Sequence, residues 1–124
     1  MLAGALLFCS SALAHHGAAA YADKIVVLKD ATVTKFVWAN PHNIVLFDAK
    51  DDKGNVTHWA GEMGSPSATT LLGWNRNSLQ PGDVITVYIF PAKSGNPVGR
   101  LNKVTLADGT TLRDSQLGGE KKEY

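Results

Sequence analysis

From Ile25 onward the chain is a run of β-forming segments broken once, after the third, by a proline-initiated helical stretch. Few folds accept that order. Ile25 to Trp38 carries Val26, Val27, Thr32, Val33, Thr34, Phe36 and Val37, all residues that favour strands, with a kink expected at Lys29-Asp30. Asn40-Pro41 is a turn. Ile44 to Ala49 predicts a second strand, Asp51 to Gly54 a hairpin loop, and Val56 to Met63 a third strand. Ser65 then stands at an N-cap with Pro66 at the first helical position, which predicts a short helix over Pro66 to Leu72 stopped by Gly73. Gln80-Pro81-Gly82-Asp83 is a turn, Val84 to Phe90 a fourth strand halted by Pro91, and Arg100 to Leu106 a fifth. Asp108-Gly109 predicts a further hairpin into a short return strand at 110–112. The chain is therefore mainly β. Its order matches a small five-stranded OB-like barrel with a short helix between strands 3 and 4. A small open sandwich is the alternative, because sequence gives order and not closure.

The segment before this domain has a different character. Residues 1–14 carry no charge and end in Ala12-Leu13-Ala14, a small-x-small sequence of the kind signal peptidase cuts. The apolar run is far shorter than the ~20 residues needed to span a bilayer. The reading is a signal peptide at 1–14, an N-terminal arm at 15–24, one β-barrel domain at 25–113 and a flexible polar tail at 114–124. A membrane anchor or a buried N-terminal helix is the alternative for residues 1–14. No Lys or Arg precedes the apolar run, which points to a start codon upstream of Met1. Phe8 argues against a lipid anchor at Cys9, where a small residue should precede the cysteine. The expected location is periplasmic or secreted, with no membrane insertion after cleavage.

Composition excludes more than it assigns. Twelve Lys plus Arg stand against eleven Asp plus Glu, so the basic excess of a nucleic-acid binder is missing. The single Cys excludes an internal disulfide and every multi-Cys zinc ribbon, and cleavage after Ala14 would remove it. There is no Gly-x-Ser-x-Gly, no glycine-rich phosphate loop, no His-Glu-x-x-His and no EF-hand. Asp51-Asp52 reads as turn chemistry. Asn55-Val56-Thr57 matches the glycosylation sequon, a pattern short enough to occur by chance.

Chemistry therefore rests on the four His. Cleavage would make His15 the N-terminus, followed by His16. A free α-amine and the imidazole of the same His chelate one metal ion, and a second imidazole from the folded body completes a T-shaped set of three nitrogens. Copper(II) accepts that geometry and stands at the top of the affinity order. His16 could add its imidazole or its deprotonated amide. The alternative is a solvated arm that takes up metal adventitiously. In the body, His42 sits at the mouth of the second strand, with Glu62 and Met63 at the far end of the third. If Asp51 to Gly54 is the loop, Lys50 faces Asn55, His42 faces Met63, Asn43 faces Glu62 and Phe47 faces His58. A bulge at Gly54 would bring Glu62 opposite His42. His with Met favours Cu(I), and His with Glu favours Cu(II) or zinc. The structural alternative is a turn-capping His, a solvated Glu and a Met in the core. His58 reads as a half-buried strand residue facing away from His42. Trp38, Trp59 and Trp74 are core or barrel-end packing, or else a stacking platform for a ligand.

Trp38-Ala39-Asn40-Pro41-His42, Trp59 to Pro66, Leu72-Gly73-Trp74, Ser78 to Asp83 and the His15-His16 start together resemble a family of small secreted bacterial proteins known as domain of unknown function 6152. The resemblance runs from about His15 to Arg113. It implies an exported, periplasmic β domain and brings no activity with it. The chain departs from the family in lacking a basic leader, and His58 stands where a relative is not expected to have His. Three functions are carried forward. One is a copper-binding protein using His15, His16, His42, Glu62 and Met63. Another is a non-metal module whose barrel face holds a glycan, a small ligand or an envelope protein, with Trp38 and Trp59 as anchors. The third is a small copper redox enzyme, which needs the same site plus an open coordination position.

Overall fold

A computed structural model describes residues 20–114. Its elements are β1 (Val26–Val37), β2 (Ile44–Lys50), β3 (Val56–Glu62), α1 (Pro66–Thr70), β4 (Val84–Pro91), β5 (Val98–Thr105) and β6 (Thr111–Arg113). The strands hydrogen-bond in the order β3-β2-β1-β4-β5-β6, and a parallel β3–β5 pairing closes the first five into a barrel. This is the closed, OB-like solution rather than the open sandwich.

β1 makes closure possible because it is long and bent. Its N-terminal half pairs with β4 and its C-terminal half with β2. The kink expected at Lys29-Asp30 is a register shift between Leu28 and Ala31, with Asp30 at φ 54. A second shift falls between Val33 and Lys35. Each bulge increases the local twist and turns a flat strand into a barrel stave.

Inward residues alternate along β2 and β4, as period-two geometry requires, while irregularities in β1 and β5 interrupt it, Leu101 and Asn102 both being buried. Val33, Val45, Phe47, Ile85, Val87, Ile89, Leu101 and Val104 fill the interior, with Met63, Trp74 and Leu79 closing one end. At that end α1 starts as expected: the Ser65 hydroxyl accepts the Ala68 N–H at 3.2 Å, and Pro66 follows the cap. The helix is shorter than the sequence suggested, ending at Thr70 with Leu71 as C-cap. Gly73, at φ +95, turns the chain so that the Trp74 N–H reaches the Thr69 carbonyl.

The tightest approach in the barrel is at Gly99. A Cβ there would lie 2.6 Å from the Phe90 carbonyl oxygen and 2.7 Å from Ile89 Cγ1. Gly99→Ala should therefore cost about 1–3 kcal/mol as an overpacking defect, read as a lowered urea midpoint. Gly61→Ala is the milder comparison, since its Cβ would meet nothing closer than 3.4 Å. Equal effects from both would show that the β4–β5 backbone yields at Gly99.

Candidate functional site

The Asn-Pro-His and Glu-Met-Gly-Ser-Pro blocks meet at the α1 end of the barrel, and Asn43 joins them. It is fully buried. Its Nδ2 donates to Thr69 Oγ1 at 2.9 Å, and its Oδ1 accepts the Ala39 N–H at 3.2 Å. Its backbone N–H donates to the Gly64 carbonyl while its own carbonyl accepts from Met63, both at 2.9 Å. Facing two residues at once makes a one-residue bulge after Met63. Asp114 secures the same bend, its Oδ1 accepting the Gly64 N–H at 2.8 Å. These hydrogen bonds set the bend, and the exposed His42 directly precedes Asn43 in it.

The strand register corrects the sequence expectation. Lys50 pairs with Val56, Asp48 with His58, Phe47 with Trp59 and Ile44 with Glu62. Neither Met63 nor Glu62 stands opposite His42, and His58 does not face Phe47. The cause lies in the hairpin. Asp51 and Asn55 close a three-residue loop, with the Asp51 N–H on the Asn55 carbonyl at 2.9 Å and Gly54 at φ +81. Asp51 Oδ1 also accepts the N–H groups of Lys53 and Asn55, at 2.9 and 2.8 Å. That capture moves the closing pair by one residue from the expected Lys50–Asn55. These hydrogen bonds hold the Asp51 carboxyl below the usual aspartate range, that from the Asn55 backbone contributing most.

A one-residue change of register decides which side chains share a face. His42 is exposed, Asn43 buried, Ile44 half-buried and Val45 buried. His42 is exposed and stands two residues before Ile44, the first residue of β2, and Ile44 is directly across from Glu62. Glu62 is half-buried on the outer face. Met63 is turned the other way and is fully buried in the core. His15 and His16 lie outside the described residues.

Tyr21 is a site residue that the sequence reading missed. Its hydroxyl donates to Glu62 Oε2 at 2.7 Å, and it is only 7 % exposed. Its backbone bridges Ala92, with the Ala22 N–H on the Pro91 carbonyl at 2.8 Å and the Lys93 N–H on the Ala20 carbonyl at 3.0 Å. Residues 20–22 therefore lie against the β4–β5 connection. Burial raises the Tyr21 phenol to about 12, helped by the hydrogen bond and the charge of Glu62 and opposed by Arg100. It remains a protonated donor at neutral pH. Arg100 is across the β3–β5 ladder from Glu62. The available signal was a lone tyrosine in an otherwise Ala-rich arm.

The other candidates lie elsewhere. His58 is exposed rather than half-buried, its Nδ1 contacting Asp48 Oδ1 at 2.5 Å on the outer face. Beside that pair a groove of about 450 Å³ crosses the strands, lined by Thr34, Leu46, Asp48, His58, Trp59, Ala60, Pro97 and Val98 among others. Trp59 is half-buried and parallel to Phe47, with 6.2 Å between ring centroids. Trp38 packs edge-on to Phe36. Trp74 is buried, its Nε1 donating to the Arg113 carbonyl at 2.7 Å. Among the described residues no three His, Cys, Asp or Glu form a group that could hold a metal ion. None of their helices is long and apolar enough to cross a membrane.

A model of a family of unknown function, DUF6152, matches residues 5–102. No curated protein and no solved structure matches the chain.

Proposed function

The chain belongs to the family of unknown function DUF6152; on that premise, which supplies no activity, we propose that it is an exported small binding protein that holds copper. The ligands are the processed N-terminus at His15 with its imidazole, His16, and the body residues His42 and Glu62. Met63 is buried in the core, as a packing residue rather than a donor. The observation that carries the reading is the Tyr21–Glu62 hydrogen bond. It ties the arm at Tyr21 to Glu62, whose ladder partner Ile44 is two residues from the exposed His42. Arg100 across the ladder opposes a cation at Glu62, so carboxylate alone would hold metal poorly. Neutral nitrogen donors meet that condition, and copper(II) prefers them. Protein processed to begin at His15, titrated with Cu(II) and followed by EPR, tests the reading. One tightly held ion with a nitrogen-rich axial spectrum is expected.

The groove beside Asp48 and His58 favours a second reading, a non-metal module. OB-type barrels bind oligosaccharides on the face of strands 2 and 3, and this groove lies there. On this reading, chitotriose added in the presence of EDTA should shift the amide NMR signals of Asp48, His58 and Trp59. Unmoved signals at millimolar sugar would remove the glycan version.

A further inference from the structure

The turn after α1 exposes apolar surface that the barrel does not use. Leu71 is 86 % exposed and its neighbour Leu72 44 %, and neither belongs to the core cluster. β6 fixes where this turn sits. A Cβ on Gly73 would lie 3.9 Å from Leu112 Cδ2, and Trp74 Nε1 donates to the Arg113 carbonyl at 2.7 Å. The leucine turn is thus packed against the end of β6 that carries Arg113. Directly across the ladder from Arg113 is Lys103, whose Nζ lies 4.6 Å from the centre of the Tyr88 ring. Arg76 is exposed and two residues past Trp74, so at most ~7 Å of chain separates them. From Met63 to Gly82 there is no Asp or Glu. Asp114, beside Arg113, is 5 % exposed, with its Oδ1 turned in to the Gly64 N–H. The leucines are therefore bordered by cations. Like charges directly across a ladder repel, and an anion facing Lys103 and Arg113 would offset that cost.

We propose that this turn docks the protein on the surface of an anionic bilayer, with Leu71 and Leu72 entering the acyl boundary and Arg76, Lys103 and Arg113 meeting lipid phosphates. The protein lies on the membrane and does not span it. Two features favour lipid over an acidic protein. Two side chains cover far less than the ~800 Å² per partner of a stable protein interface, and leucine is under-represented among the residues that dominate such interfaces. A bilayer needs no matching shape. Each leucine buried in it adds about tenfold or more in affinity, and each basic residue near an anionic surface about fivefold.

Co-sedimentation with phosphatidylglycerol vesicles and with phosphatidylcholine vesicles is the test. The anionic vesicles should be bound more tightly, and added salt should weaken that binding. Residues 1–14 are apolar, so variants are compared with the wild type in the same chain, and again in protein beginning at His15. Leu71→Ser should lower partitioning about tenfold and keep the fold, because the side chain it removes is already in water. Lys103→Gln combined with Arg113→Gln should lower it by about 30-fold on phosphatidylglycerol and leave phosphatidylcholine binding unchanged. Arg76→Gln repeats the charge test, at about fivefold, without touching β5 or β6. Circular dichroism confirms the fold of each variant. Equal binding to the two lipids, or wild-type partitioning in Leu71→Ser or Arg76→Gln, would overturn the proposal. So would release from vesicles by glycerol phosphate at matched ionic strength, which would make the ligand a soluble phosphate. Retention on immobilised polyglutamate that Leu71→Ser weakens as much as it weakens vesicle binding would overturn it in favour of an acidic protein.

Discussion

Trp74→Ala should remove about 3–5 kcal/mol of stability, the range for truncating a buried tryptophan. A domain of this size has about 5–15 kcal/mol in total, so the variant is expected to be partly unfolded at 37 °C. Trp74 is 1 % exposed, and its ring centroid lies 5.8 Å from that of Phe36. Its Nε1 holds the Arg113 carbonyl and its backbone N–H holds the Thr69 carbonyl. One residue therefore fills the barrel end, anchors the chain after α1, and ties β6 to the body. Trp74→Phe separates these roles. It keeps most of the apolar surface and loses one hydrogen bond, so it should cost about 1–2 kcal/mol. Urea melts followed by far-UV circular dichroism read both variants without relying on tryptophan fluorescence. A loss below 1 kcal/mol in Trp74→Ala would mean that the end of the barrel collapses onto the gap.

What the sequence revealed about the fold was local. β-Branched runs marked the staves, Ser65-Pro66 marked the helix start, and Lys29-Asp30 marked a bulge. Each of these is decided by the preferences of a few adjacent residues. Barrel closure depends on Ala60, Gly61 and Glu62 meeting Val98, Gly99 and Arg100, residues far apart in sequence and without pattern of their own. Hairpin register failed for a different reason. Asp51 competes for backbone N–H groups that a simpler loop would leave to water, and the closing pair moves by one. That step was enough to change which residues face His42. In the candidate site, His42 and Glu62 were singled out because His and Glu carry visible chemistry. Tyr21 went unnoticed because its role comes from a partner 41 residues away. In sequence Asn43 reads only as a strand neighbour facing Glu62, yet its side chain is the buried joint between the two blocks.

Replacing His15 and His42 together by alanine, in protein that begins at residue 15, should weaken copper binding to that of a short Ala-His peptide. Loss of an outer-shell partner alone costs up to ~100-fold, and two direct ligands should cost more. The single variants distinguish the contributions of arm and body. His15→Ala removes one imidazole but leaves the amine, the following amide and the His16 imidazole able to chelate, so the nitrogen couplings in the EPR spectrum should change rather than vanish. His42→Ala leaves the chelate intact but detaches it from the barrel, giving the weaker affinity of a short His-His peptide. A synthetic peptide of residues 15–20 supplies that reference directly. The unprocessed chain is a third control, because residue 14 converts the His15 amine into an amide that binds far less well. Binding should also weaken as pH falls, since amine and imidazole nitrogens must shed protons to coordinate. If the double variant matches the wild type in affinity and spectrum, copper is not held by these residues. If His42→Ala alone matches it, the arm binds metal without the barrel, and the Tyr21–Glu62 contact is structural.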